Sequence, residues 1–319
     1  MKQIYFMCMI LFIPFYLFAN SQDKKRVLFI DSYNKEFLWS KGIERGIKTV
    51  KNNSSLLIDL KIIHMDTKRN PSELFKKRAA IKAKEVIESF KPDVVIACDD
   101  NAAKYLIVPY YNNSTLPFVF CGINGSAKEY KFSRNNVTGI IEVEFIEGLV
   151  NTIKKYAKGN NLAYLGSNNV SDKKEFLAHT EFEKNIEARF VSNVEEWKKK
   201  YLYFQKNADI LILSSFTPYT FKKEVRNELA SFVKKNTLIP SVAGLSLVSG
   251  FTLLTFAKKP EEQGEWAMKT AIRILKGEKT KDIAYVKNKK AEIYINAALM
   301  KELNIHFPFE LLENANIVH

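Results

Sequence analysis

Six short apolar runs in this 319-residue chain end in small polar residues, and those ends are where any chemistry would sit. They read Asp31-Ser32-Tyr33-Asn34, Cys98-Asp99-Asp100-Asn101, Cys121-Gly122-Ile123-Asn124, Gly166-Ser167-Asn168-Asn169, Ser214-Ser215-Phe216-Thr217 and Ala243-Gly244-Leu245-Ser246. Ser, Asn and Thr also cap helices, and a helix is expected after each run, so capping alone explains roughly half of them. It does not explain Tyr33, Trp39, the Asp99–Asp100 pair or Phe216 so readily. The aromatic faces suit stacking on a planar or apolar moiety, with core packing as the alternative. The two acids suit an amine or hydroxyls, or simply answer a helix dipole. Small polar residues, glycine and aromatics at successive strand ends describe a cleft around one polar ligand. The candidate ligand-binding set is Ser32, Tyr33, Trp39, Asp99, Asp100, Asn101, Gly122, Asn124, Ser167, Asn168, Ser215, Phe216 and Gly244.

Catalytic and cofactor chemistry finds little to use. The four histidines, His64, His179, His306 and His319, form neither an HExxH motif nor a paired metal-ligand spacing, so no metal is expected. There is no GxSxG elbow, no P-loop and no GxGxxG after the first strand, so no nucleotide cofactor is expected either. Cys98 and Cys121 have no histidine close in sequence to activate a thiol. Both end strands, which allows them to be neighbours in space; two buried thiols are the expectation and a disulfide the alternative. The net charge of +14 comes mostly from lysines spread over every helical stretch, which argues for a solvated basic surface rather than a nucleic-acid-binding patch.

The elements that must position these ends follow from the texture of the chain. Lys2, the apolar run Ile4–Phe18 and the exit Leu17-Phe18-Ala19 read as a signal peptide cleaved near Ala19, which implies export to the periplasm. The run is about 15 residues, short of the ~20 a spanning helix needs. Beyond it, continuously apolar strands alternate with Lys- and Glu-rich amphipathic helices. Strands without polar alternation are buried on both faces, and strand–helix repetition makes a doubly wound parallel α/β sheet. Two such series meet near Gly139–Glu144, so two lobes are expected. Near the end, Ile283–Val286 and Ala291–Ile295 read as a strand pair around the basic turn Lys287–Lys290, before two short helical turns at Ala297–Leu303 and Pro308–Glu313.

Several stretches resemble one family. Val27-Leu28-Phe29-Ile30-Asp31-Ser32-Tyr33, with Trp39 and Gly42-Ile43-Glu44-Arg45-Gly46-Ile47, is similar to the opening of bacterial ABC-transporter substrate-binding proteins. That family includes tryptophan- and tyrosine-binding proteins and ligand-binding modules fused to membrane histidine kinases and diguanylate cyclases. Pro92–Ala102, Pro117–Asn124 and the close from Ile293 to Leu312 resemble three further family stretches. The resemblance implies the type I periplasmic-binding-protein fold: two Rossmann-like lobes joined by three hinge crossings, with a ligand enclosed between them. Crossings are then expected near Gly139–Glu144, Val248–Leu253 and Tyr285–Val286. The lobes would comprise residues 20–139 with 254–284, and 140–253 with 285–319. The opening Asp31-Ser32-Tyr33-Asn34 departs from the His-Ser-Tyr-His common in the sensor-fused branch.

The function so implied is non-catalytic: an extracytoplasmic solute-binding protein that closes over a small ligand, an amino acid or other amine-bearing compound, and delivers it to a membrane ABC permease. The alternatives are a ligand-sensing partner of a membrane histidine kinase or diguanylate cyclase, a periplasmic enzyme using the same cleft, and an interaction protein whose cleft takes no small molecule.

Overall fold

The computed structural model describes residues 24–319 apart from 215, 217 and 218; the expected signal peptide and Ser215 lie outside the described residues. The first series folds as β1 (Lys25–Asp31), α1 (Leu38–Asn52), β2 (Ile58–His64), α2 (Glu73–Phe90), β3 (Val94–Cys98), a short α3 (Asp99–Ala102), β4 (Phe118–Asn124) and β5 (Val137–Glu142). All five residues of β3 are buried, as expected of a strand covered on both faces. α2 begins after Pro71 rather than at it, because Ser72 caps the helix by accepting a hydrogen bond from the Phe75 amide. After α3 the chain continues as a π-helix over Ala103–Tyr111, a stretch that contains Pro109.

The second series runs α4 (Ile146–Ile153), β6 (Leu162–Ser167), α5 (Val170–Phe182), β7 (Ile186–Val191), α6 (Val194–Asn207), β8 (Ile210–Leu213), α7 (Lys223–Asn236), β9 (Ser241–Ala243) and β10 (Leu254–Lys258). Then come α8 (Pro260–Leu275), β11 (Val286–Lys287), β12 (Ala291–Asn296), α9 (Ala297–Leu303), α10 (Phe309–Glu313) and β13 (Ala315–Val318). The strands form two sheets, ordered β11-β5-β4-β3-β1-β2 and β13-β12-β10-β9-β8-β6-β7. Each pairing is parallel except that of β10 with β12. Hydrophobic clusters cover both faces of the first sheet, and a third cluster centred on Trp197, Tyr201 and Phe251 fills the second lobe. The molecule is therefore a two-lobed α/β protein.

Among the described residues the chain passes between sheets three times, after Glu142, between Lys258 and Pro260, and between Lys287 and Ala291. The last two positions differ from the sequence reading. Val248–Leu253 stays inside the second lobe, where Val248 and Phe251 join its core. Residues 254–258, grouped with the first lobe by sequence, pair with β9 and β12 of the second sheet. Val286 and Lys287, grouped with the second lobe, pair with Ile140 and Ile141 of the first. Lys287–Lys290 is thus no hairpin turn: the flanking strands belong to different sheets, and its lysines belong to a crossing. Cys98 and Cys121 also depart from the thiol reading. They sit side by side in the β3–β4 register with Cα atoms 4.8 Å apart, and they form a disulfide.

α8 returns to the first lobe and packs on α1. The two backbones touch: a Cβ added at Gly46 would lie 2.2 Å from the Glu261 carbonyl oxygen, and one at Gly264 would lie 2.0 Å from that of Ile43. Gly46→Ala is expected to destabilise by about 1–3 kcal/mol through overpacking, despite the better helix propensity of alanine. Gly148→Ala on α4, where a Cβ meets open space, is expected to stabilise by roughly 0.5–1 kcal/mol. Urea unfolding of the two variants checks the opposite signs.

Candidate functional site

The carboxyl ends of both sheets face each other, as the side chains that bridge them make plain. Lys174 on α5 of the second lobe reaches Glu129 (2.8 Å) and Asp100 (3.7 Å) of the first. Lys258 at the end of β10 meets Glu142 at the end of β5 (2.6 Å) and Glu144 just beyond it (2.9 Å). Binding at this edge is what parallel sheets favour, because the loops there are free to vary while the strands hold them. A separate depression of about 460 Å³, lined by Thr49, Asn53, Glu265 and Lys269, lies at the opposite edge, where α1 hands over to β2.

The first lobe contributes the ends of β1, β3 and β4. Ser32 is fully buried: its hydroxyl donates to the Cys98 carbonyl and accepts from the Ala102 amide, tying β1 to the turn after β3. Asn101 extends this network by donating to Thr67, which in turn donates to the Ser32 carbonyl. Asp99 has a left-handed backbone (φ 66°) and is 2% exposed, and its Oδ2 has no hydrogen-bond partner among the described residues. Gly122, with φ 69°, makes room for it, since a Cβ there would lie 2.6 Å from Asp99 Oδ1. Burial first, then the charges of Asp31, Glu142 and Asp100, push the Asp99 carboxyl well above the usual range. Asp100 is held by Tyr130 (2.5 Å) and Asn124 (2.8 Å), which orient its carboxylate toward Lys174. Tyr33 packs edge-on against Phe37, and the Lys68 ammonium lies 4.7 Å from one ring centre and 4.2 Å from the other. This is an aromatic pair already holding an ammonium group.

The crossings carry a buried charge network. Burial alone would lower the Lys258 pKa, but Glu142, Glu144 and Glu175 outweigh it and hold the ammonium above its ordinary value. Trp39 lies beside Lys258, with its ring centre 5.9 Å from Nζ. Asn288 in the third crossing clamps Val143 in the first, accepting from its amide (2.6 Å) and donating to its carbonyl (3.0 Å). In the second lobe Asp172 accepts from the Ser167 amide and the Ser214 hydroxyl, both at 2.6 Å. Its Oδ1 is buried without a hydrogen-bond partner among the described residues. Gly244 at the end of β9 leaves space for Glu144, whose carboxylate a Cβ would approach to 2.7 Å.

The structure thus gathers Tyr33, Trp39, Asp99, Asp100, Gly122, Asn124, Ser167 and Gly244 around one edge, with Ser32 and Asn101 in the supporting network. Asn168 is exposed, and its amide donates to the Val191 carbonyl. Phe216 is fully buried and stacked on Tyr219 in the second lobe's core, with a ring separation of 4.8 Å. Sequence reasoning missed Lys68, Glu142, Glu144, Asp172, Lys174, Glu175, His179 and Lys258. A signal existed for some of them: Glu142 and Glu144 lie at the break between the two series, and Lys258 is a lysine directly after an apolar strand. Glu175 and His179 stand one helical turn apart, but a lone histidine with a glutamate makes no paired-histidine motif.

Two parallel-sheet lobes, three crossings and a polar edge between them define a two-lobed solute-binding protein. The family model described as ABC transporter substrate binding protein matches residues 38–319, and the chain belongs to that family. Solved structures of similar fold include an ABC domain in complex with L-Trp from Streptococcus pneumonia, with 15% identity over 93% of this chain and 100% of that one, and a TM-score of 0.66. A ligand-free, open substrate binding protein with adhesive properties from Clostridium difficile shares 17% identity over 92% of this chain and 99% of its own, with a TM-score of 0.67. A carbohydrate transporter solute binding protein from Agrobacterium Radiobacter, in complex with D-arabinose, shares 12% over 93% and 100%, with a TM-score of 0.54. These likenesses establish the type I periplasmic-binding-protein fold. A comparison with curated proteins finds no match. No helix among the described residues is long and apolar enough to cross a membrane.

Proposed function

We propose that this chain is an exported, extracytoplasmic binding protein that closes over a small amine-bearing ligand and presents it to a membrane ABC permease, with no catalytic step of its own. The observation that carries the ligand class is Asp99: a buried carboxyl oxygen without a hydrogen-bond partner among the described residues, at the end of a central strand. Such an oxygen is costly to bury alone and is satisfied by a charged donor from outside. The surroundings agree. Asp99, Asp100, Glu142 and Asp172 face Lys68, Lys174 and Lys258, four acids against three lysines. Membership of the family supports a small ligand and a permease partner.

Closure follows from ligand contacts made to both lobes at once, which favour the closed state by their differential affinity. Lys174 is part of that closed state, and its contacts with Asp100 and Glu129 are half exposed. Lys174→Ala is expected to weaken ligand binding by about 2- to 5-fold, the equivalent of roughly 0.5–1 kcal/mol for a partly exposed pair. Stopped-flow measurements should place that loss mainly in a faster dissociation rate.

The deciding experiment is a thermal-shift screen against amino acids, polyamines, sugars, nucleosides and organic acids. A ligand at a hundred times its Kd adds about 2.7 kcal/mol, which raises the melting temperature by several degrees. A shift confined to amine-bearing compounds, recovered intact, supports the reading. A shift confined to sugars or organic acids overturns the ligand class. No shift overturns small-molecule binding, and consumption of the compound points to an enzyme.

A further inference from the structure

One cluster beside the cleft is left over by ligand binding. Glu175 and His179 stand one turn apart on α5 and face the first crossing, where Glu144 meets them. His179 Nε2 lies 3.6 Å from Glu144 Oε2 and 3.7 Å from Glu175 Oε1, and the three donor atoms all fall within 4.8 Å of one another. These separations are too long for hydrogen bonds. His179 is 1% exposed, yet neither ring nitrogen has a hydrogen-bond partner among the described residues, and Glu144 Oε2 is likewise buried without one. Buried donors and acceptors are normally satisfied, so two orphaned atoms, His179 Nε2 and Glu144 Oε2, facing each other beside the Glu175 carboxylate mark a missing centre.

We propose that Glu144, Glu175 and His179 form a divalent-cation site at the junction of the first crossing and the second lobe. One imidazole nitrogen and two carboxylate oxygens are a borderline donor set that suits Zn²⁺ or Mn²⁺ better than Ca²⁺, which takes oxygen ligands alone. Ligand atoms of a tetrahedral ion with bonds of about 2.1 Å stand roughly 3.4 Å apart, and the two separations from His179 Nε2, 3.6 and 3.7 Å, come close to that spacing. Charge balances as well. Glu142, Glu144 and Glu175 against Lys258 leave two negative charges uncompensated, which one divalent ion neutralises. Lys258 does not block the site, because it binds Glu144 through Oε1 and leaves Oε2 turned toward His179. Gly244 completes the cradle, since any side chain there would displace the Glu144 carboxylate. The site does not depend on which solute the cleft binds.

The test is isothermal titration of the purified full chain, stripped with a chelator, with ZnCl₂ and MnCl₂ separately and CaCl₂ as the contrast. The expected result is one equivalent of Zn²⁺ or Mn²⁺ bound at micromolar Kd or tighter. His179→Ala and Glu175→Gln should each weaken it by at least 30-fold, with unchanged circular dichroism. Anomalous diffraction from Zn²⁺-soaked crystals should place the ion between Glu144 and His179, and this locates it in the unmodified protein even where a variant fails to fold. No uptake of either metal, uptake that both variants retain, or an ion located elsewhere overturns the proposal.

Discussion

Asp99→Asn is expected to weaken binding of the amine that the screen identifies by about 30- to 150-fold, roughly 2–3 kcal/mol, while raising the melting temperature of the ligand-free protein. The affinity loss follows from removing the charge that pairs with the ligand in a desolvated site. The gain in stability follows from the same burial. The folded protein holds the Asp99 carboxyl well above its ordinary value of 3.8, chiefly because burial disfavours the charged form. The sign is therefore opposite to that of a salt-bridged acid. The contribution of Asp99 is most favourable below its unfolded value, and it is lost as pH rises through the folded value. Asparagine carries no such penalty and tolerates the left-handed backbone that Asp99 adopts. The advantage of the variant should thus be largest near pH 8, a shift of a few degrees, and should fade toward pH 4. Calorimetric melting at both pH values, with titration calorimetry of the ligand, checks both halves. An affinity within threefold of the wild type would sink the assignment of Asp99 as the ligand's counter-charge.

Lys258→Met is expected to destabilise the fold by about 3–5 kcal/mol at neutral pH, the largest loss of stability predicted for a single change here. The ammonium, at the second crossing, is nearly inaccessible and neutralises two buried carboxylates of the first, Glu142 and Glu144. Removing it leaves both acids uncompensated, whereas methionine fills much of the same volume, so the loss is electrostatic rather than a cavity. Their folded pKa values then rise, and as with Asp99 the folded state gains by holding protons at low pH and loses as pH increases. The deficit should shrink on going from pH 8 to pH 5. Adding Glu142→Gln to Lys258→Met should recover part of it, since one buried charge is then gone. Urea denaturation at the two pH values measures both effects. A loss below about 1 kcal/mol at pH 8 would mean that the network is solvated and does not hold the hinge.

Both predictions concern residues whose visibility in the sequence differed, and for a physical reason. Asp99 stood out because an acid directly after a continuously apolar strand has few places to go except the carboxyl edge of the sheet. Tyr33, Asp100, Gly122 and Gly244 are legible for the same reason. Phe216 also follows such a strand, but its ring turns into the second lobe's core to stack on Tyr219 beside Trp197. A strand end fixes where the backbone emerges, not which way a side chain on the following loop rotates. Lys258, Glu142 and Glu144 were hidden because they are neighbours only across crossings 114 and more residues apart in the chain. The second and third crossings were misplaced for a related reason. β10 is apolar and short, and periodicity cannot say which of two similar sheets will take it; pairing with β9 and β12 decides that.

Hydrophobic periodicity by itself determined the α/β class, the parallel character of the strands and the division into two series, because burial on both faces demands continuously apolar strands and helices demand an amphipathic face. Residue order alone also placed small polar groups at the carboxyl edges of the two sheets. Only the tertiary structure decided the Cys98–Cys121 disulfide, the network around Lys258 and the convergence of Glu144, Glu175 and His179. Each of these depends on side chains from distant segments meeting within a few ångströms, and their energy is set by desolvation and pairing, which no local pattern in the chain records.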